Sequence, residues 1–342
     1  MKTINININR LDEVINELNT KLGGELKSKS GEYVMDIDND LAKGTIKGIC
    51  YKEGLSYLEY DLKFYEDVKI YMKSSKTNPI LFMYCSNGTL THNFLSNKAK
   101  RSLKQFQTAI VSAGRTETHE LFFAKNVYTT LTIIHVEKNI NGEYNNFTML
   151  NKQLQELFAS EKTDKNFAYF GTYNLQVYEQ ISQLKDIQAE GFSRIFQIQG
   201  IIYLILALEI QQHLFDTKNQ EENLGSLTRF EMSKIKELSE MIKEHPEEQY
   251  TIKSLCGESG LSPAKLQEGF KLMHGRTVTD YIRNIRVEVS EELIKTTDMN
   301  ISEVVYSVGL TSRSYFSKIF KEKYNCSPRE YQNQKKMLAA TA

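Results

Sequence analysis

From about residue 31 to 135 the apolar positions come in short or alternating runs, at 34–37, 46–50, 55–60, 80–84 and 131–134. Gly44, Gly54, Asn87-Gly88 and Gly114 punctuate them, as turns between strands do. Many short strands at this spacing predict an antiparallel sandwich or barrel. A short helix over about 11–22 precedes them. From about 147 to 215 the period becomes helical. Leu150, Leu154, Leu157 and Phe158 share one face, and Leu175, Tyr178, Ile181 and Leu184 fall together in the next segment. After Gly191 a longer helix is apolar most of the way round, with Phe192, Ile195, Phe196, Ile202, Ile205, Leu206 and Leu208. Such a helix must bury more than one face, inside its domain or in a dimer.

Residues 216–227 (DTKNQEENLGSL) are polar and contain Gly225, which marks a linker. Everything after it is helical, and it holds a near-repeat. The first copy, TIKSLCGESGLSPAKLQEGFKLMHG, spans 251–275; the second, NISEVVYSVGLTSRSYFSKIFKEKYN, spans 300–325. Each has a short amphipathic helix, a Gly-Leu pair, a serine able to cap, and a second helix carrying Phe-Lys. A helix-turn-helix needs a turn residue that tolerates positive φ, which Gly260 and Gly309 supply. Leu261 and Leu310 then plug the gap between helices. Ser262 and Ser312 cap the second helices, and Pro263 sits where a missing N–H costs nothing. Asn300 and Glu303 have capping-box spacing. Between the copies, Ile282, Ile285, Val289 and Leu293 predict one connecting helix over 278–296. That helix would hold two recognition helices at a fixed separation, suited to successive major grooves of double-stranded DNA.

The expected architecture is therefore α+β. An N-terminal antiparallel β-rich sandwich or barrel-like part with a helical hairpin occupies 1–215 (strand-rich 31–140, helical 147–215), for sensing and dimerisation. The linker 216–227 follows, then an all-α domain with two helix-turn-helix units at 228–335.

Composition changes this picture in one respect. The 342 residues carry 43 Lys plus Arg against 43 Asp plus Glu, so any basic surface must be local. Between 312 and 324, Arg313, Lys318, Lys321 and Lys323 stand against Glu322 alone. Between 262 and 274, only Lys265 and Lys271 stand against Glu268. Phosphate attraction is thus expected to be stronger at the second unit. The first turns of the recognition helices give the DNA-contact candidates Lys265, Gln267 and Glu268 in the first copy and Arg313, Ser314, Ser317 and Lys318 in the second, with Lys321 further along. Arg and Lys read guanine, Gln reads adenine and Glu accepts from cytosine N4.

Over about 230–331 the chain resembles the AraC/XylS family of transcription regulators. The resemblance rests on the tandem units, the connecting helix with Arg286, the run GLTSRSYFSKIFK at 309–321 and the closing Ser-Pro-Arg-Glu-Tyr at 327–331. Val305 stands where the family usually has Ala, and Asn325 replaces a common Gly. The N-terminal half, with GFSRIFQIQGI at 191–201, is similar to the siderophore-responsive, pyochelin-regulator-type subgroup. The resemblance implies a promoter-binding activator that contacts RNA polymerase and answers a small-molecule effector such as a siderophore.

Other chemistry is thin. Cys50, Cys85, Cys256 and Cys326 have neither zinc-site nor redox spacing, which suits a reducing, cytoplasmic setting. The Asn-rich start does not read as a signal peptide, and the apolar run 201–208 is too short to span a bilayer. His92, His119 and His135, with Glu117 and Glu120 near the second, could surround a metal in a barrel, but no paired-ligand motif is present and ordinary histidines are the expectation. The aromatics Tyr51, Tyr57, Tyr60, Phe64, Tyr65, Tyr71, Phe82 and Tyr84 are expected in the core, some of them lining a ligand cavity. No cofactor is implied. A regulator that holds a protein partner instead of an effector is the alternative, and a metal-dependent enzyme on the N-terminal barrel is the remote one.

Overall fold

The computed structural model describes residues 1–8, 11–29, 31–51, 54–74, 79–97, 100–114, 117–137, 146–158, 165–218 and 227–333. Two compact units divide the chain, Met1–Leu224 and Gly225–Ala342.

The first unit runs β1 (Lys2–Ile8), α1 (Leu11–Leu22), β2 (Glu25–Lys29), β3 (Glu32–Asp38), β4 (Ala42–Tyr51), β5 (Leu55–Phe64), β6 (Val68–Ser74), β7 (Ile80–Asn87), β8 (Thr89–Phe94), β9 (Arg101–Lys104), β10 (Gln107–Ser112), β11 (Thr118–Phe123), β12 (Tyr128–Val136), α2 (Asn146–Phe158), β13 (Phe167–Tyr173), α3 (Leu175–Lys185) and α4 (Gly191–Lys218). One sheet has the order β1-β6-β11-β8-β9 and the other β13-β10-β7-β12-β5-β4-β3-β2. Both orders are open, so among the described residues the unit is two sheets and not a closed barrel. They share one core, with Ile4, Val68, Ile70 and Leu121 from the smaller sheet and Leu58, Leu62, Met83 and Ile133 from the larger. Phe123 joins them, its ring 5.7 Å from Tyr60 and 5.4 Å from Phe64.

Four elements depart from the sequence expectation. β2 lies ahead of 31–140 and pairs antiparallel with β3. β1 is also a strand outside 31–140, and it pairs parallel with β6, Lys2 opposite Val68. Its Ile4 and Ile6 point into the core while asparagines alternate outward. β13 lies inside the stretch expected to be helical; its register on β10 is closed by a bulge between Gln107 and Ala109. α4 continues through Asp216, Thr217 and Lys218, where a linker was expected. The rest of that linker, 219–226, and the Leu150 side chain lie outside the described residues.

α3 and α4 pack against each other. α4 is pinned to the larger sheet near both ends. Arg194 grips Glu32 through Nε and Nη2, at 2.8 and 3.1 Å. Gln212 accepts from Thr108 Oγ1 and Asn174 Nδ2 and donates to Thr172. Its inward face buries Ile198, Ile202, Ile205, Leu206 and Glu209. The opposite face leaves Phe192 82%, Phe196 69% and Leu204 53% exposed, so one chain covers only one side of the helix. By length and composition its 28 residues could cross a bilayer. The Arg194–Glu32 grip and the Gln212 bonds instead tie it to the sheet.

The second unit runs α5 (Arg229–Glu244), α6 (Ile252–Ser259), α7 (Pro263–His274), α8 (Val278–Thr296), α9 (Ile301–Ser307) and α10 (Arg313–Tyr324). Val287, Ile294, Val304, Val305, Val308, Phe316 and Phe320 form the core of its second half.

Candidate nucleic-acid interface

Local chemistry sets both helix-turn-helix units. α6 starts at Thr251, whose hydroxyl accepts from Ser254 N, and stops at Gly260, left-handed at φ 70°. α7 starts at Ser262 with Pro263 in its first turn. In the second copy Asn300 and Glu303 form a reciprocal capping box, and Ser312 accepts from Tyr315 N. Gly309 has φ 72°. Asn325 takes the left-handed cap of α10 at φ 58°, so the family's glycine is replaced by a residue that tolerates the conformation. Each such cap contributes on the order of 1 kcal/mol. The bundle keeps its recognition helices in register through Leu266 and Phe270 on α7 and Phe316, Ile319 and Phe320 on α10, all buried.

The candidates separate by availability. On α10, Arg313, Ser314, Lys318 and Lys321 are exposed and Ser317 is half-buried. Arg313 donates from Nη1 to Ser302 Oγ at 3.2 Å, which steadies it on α9. Lys323 is otherwise engaged, donating to Asn284 Oδ1 at 2.7 Å and Glu288 Oε1 at 2.6 Å. On α7 the candidates are half-buried. Lys265 pairs with Glu231 of α5. That ammonium, with two bonds from Thr228, holds the Glu231 carboxyl down to about 2. Gln267 Oε1 accepts from Val278 N at 3.3 Å and so serves the start of α8. Of the basic candidates, the three exposed ones, Arg313, Lys318 and Lys321, lie on α10, while Lys265 on α7 is half-buried.

Sequence pattern does not single out Tyr315, yet it is 45% exposed in the first turn of α10, beside Arg313 and Ser314. An aromatic at an outward position of a recognition helix is the one signal that could have found it.

Three of the four histidines of the first unit, His92, His119 and His135, are core residues. His92 Nε2 and His119 Nδ1 stand 3.0 Å apart, a pairing that sequence spacing does not reveal. The nearby acids turn elsewhere: Glu120 to Lys69 at 3.3 Å, Glu117 to Asn166 at 2.9 Å. Among the described residues no three metal-ligating side chains converge.

Residues 255–334 match the helix-turn-helix domain family. The chain is 28% identical over 137 residues to the HTH-type transcriptional regulator MtrA of Neisseria gonorrhoeae, across 40% of this chain and 45% of that protein. It is 28% identical over 100 residues to the regulatory protein SoxS of Escherichia coli, across 29% of this chain and 94% of that protein. Among solved structures, the DNA-binding domain of AdpA in complex with a target DNA aligns at TM-score 0.30 and 20% identity, over 32% of this chain and 97% of that one. The matched stretch spans less than half the length of the MtrA relative. Residues 255–334 therefore carry a helix-turn-helix domain, and MtrA and SoxS, which it resembles, are transcription regulators.

Proposed function

We propose that the chain is a sequence-specific transcription regulator of the AraC/XylS type and not an enzyme. The observation that carries this is the exposed edge of α10, where Arg313, Lys318 and Lys321 project from a capped helix seated in its own helix-turn-helix. Arg313 and Lys318 meet guanine or phosphate, Ser314 and Ser317 hydrogen-bond nearby base edges or phosphates, and Lys321 neutralises a phosphate. Lys265, Gln267 and Glu268 of α7 form the weaker reader of the second half-site, with Glu268 accepting from cytosine N4.

The N-terminal unit receives the signal in this proposal. Its effector is a small molecule, of siderophore type on the strength of the sequence resemblance alone. The effector shifts the population toward a DNA-competent arrangement, and the cytoplasmic regulator then activates through RNA polymerase. Homodimerisation is supported by α4. Gly200, Leu204, Ala207, Gln211 and Leu214 recur at three- and four-residue spacing along its outer side, the period of a two-helix seam. The same stripe suits a heterologous protein partner; co-purification of a stoichiometric second protein would favour that alternative.

Selection of bound fragments from sheared genomic DNA, with wild type and the Arg313→Ala/Lys318→Ala double variant in parallel, tests the proposal. The expected result is a motif with two half-sites about one helical turn apart, lost in the double variant. Motif-free, equal recovery by both proteins overturns it.

A further inference from the structure

We propose that Arg286 and Gly309 form a joint that fixes the distance and angle between the two recognition helices, so that the protein selects operators by the spacing of their half-sites. The proposal rests on the DNA-binding reading above and goes beyond it, from the residues that read bases to those that set the register between two reads.

The joint is built on the loop between α5 and α6. Arg286, in the middle of α8, donates from Nε to Pro246 O at 2.9 Å and from Nη2 to Glu248 O at 2.7 Å. From the same loop Gln249 donates through Nε2 to Gly309 O, the turn of the second helix-turn-helix, at 3.0 Å. Tyr250 closes the loop by donating to His245 O at 2.9 Å. The loop leading into the first helix-turn-helix, the connecting helix and the turn of the second helix-turn-helix thus meet at one point. The acceptors are backbone carbonyls, which move only with their elements, and the donor is a planar fork that fixes direction as well as distance.

Gly309 shows how close that meeting is. A Cβ there would lie 2.2 Å from Glu247 O and 2.7 Å from Glu247 C. Gly260 occupies the equivalent turn of the first unit with nearly the same φ, and a Cβ there would meet nothing within 4 Å. Both turns need the left-handed conformation, but only at 309 does a neighbouring backbone also exclude a side chain. A cleft along the same seam is lined by Tyr250, Ile252, Ile282, Arg286, Leu310 and Tyr315. Tyr315 belongs to the first turn of α10, so a shift at the seam moves the recognition helix itself. α8 already packs Val287 and Ile294 into the core of the second helix-turn-helix; the joint adds a polar attachment on the other side of the turn that holds the angle. The second helix-turn-helix keeps that core, with Val304, Val308, Phe316 and Phe320, when the joint is loosened. Loosening the joint therefore leaves each reader folded.

The experiment uses the full chain with Arg286→Met, which keeps the stem and removes both donors, Gly309→Ala, and Gly260→Ala as the control that carries the same φ penalty without a neighbour. Duplexes hold the selected half-sites at their natural spacing, one base pair closer and one base pair further, and one duplex holds a single half-site. Wild type and Gly260→Ala are expected to lose about tenfold in affinity for either altered spacing, and Arg286→Met and Gly309→Ala about threefold or less, with single-half-site affinity within about twofold throughout. Equal spacing discrimination in all four proteins overturns the joint. Should wild type bind no duplex, the regulator reading falls by itself. The joint is then judged by pulsed dipolar distances between bioorthogonal spin labels at the exposed Ala264 and Ser314. A narrow wild-type distribution that broadens in Arg286→Met supports it, and superimposable distributions overturn it.

Discussion

Lys265 and Lys321 are the same residue type on equivalent helices, and they are not equally available. Lys321 is exposed on α10, while Lys265 is held by Glu231, thirty-four residues upstream. Sequence pattern could place Lys265 on a recognition helix but could not show its partner, because the pairing depends on how α5 crosses α7. Glu231 has a second task, accepting from the Thr228 N–H in a capping box. Glu231→Gln keeps a capping acceptor and frees the lysine to reach phosphate. The slope of log affinity against log salt is then expected to steepen by about 0.9, and Lys321→Ala to flatten it by about the same amount. An unchanged slope in Glu231→Gln would mean that Lys265 does not reach the backbone even when free.

The helix-turn-helix pairs and the connecting helix of the second unit are legible in the sequence because their start and stop signals are local, whereas α5 is not singled out there. Ser262, Asn300, Ser312, Gly260 and Pro263 act on the backbone within a few positions of themselves. Strands were less legible where their stability comes from a distant partner. β1 alternates strictly, yet asparagine is a poor strand former, and what makes it a strand is pairing with β6 more than sixty residues away. β13 likewise depends on β10. For α4 the apolar circumference predicts more than one buried face, and its own domain covers one. Closing the outer stripe against a second copy predicts that Leu204→Glu, which places an unpaired charge in that seam, weakens the dimer by at least about 3 kcal/mol. Light scattering at micromolar protein should then show the wild-type mass halved, with a melting temperature that no longer rises with protein concentration. A wild type that is already monomeric there, or a variant of unchanged mass, would remove α4 as the interface.

Across the whole molecule the balanced charge says nothing of the histidines, three of which, His92, His119 and His135, are enclosed in the β-rich unit. Burial lowers His92, with Arg101 adding to it, and lowers His135; both fall to about 4. Burial, with His92 and His135 adding, also takes His119 well below its ordinary value. An unfolded histidine titrates near about 6.5. Below that pH the unfolded chain takes up protons that the folded chain refuses. The stability these residues confer is therefore complete above about pH 6.5 and is lost as pH falls toward 4, at about 1.4 kcal/mol per pH unit for each histidine. Glu117, held below its usual range by Ser96 and Asn166 against the opposing effect of burial, adds a further loss only at the acid end of this window. In calorimetric scans the transition of the first unit should move down between pH 7 and pH 5, with the second unit's transition in the same scan as reference. His135→Asn removes one titrating group and should flatten that dependence by roughly a third, since three histidines share it. A transition that does not move between these pH values would mean that water reaches the histidines in the folded state, and that the core between the two sheets is open at their end.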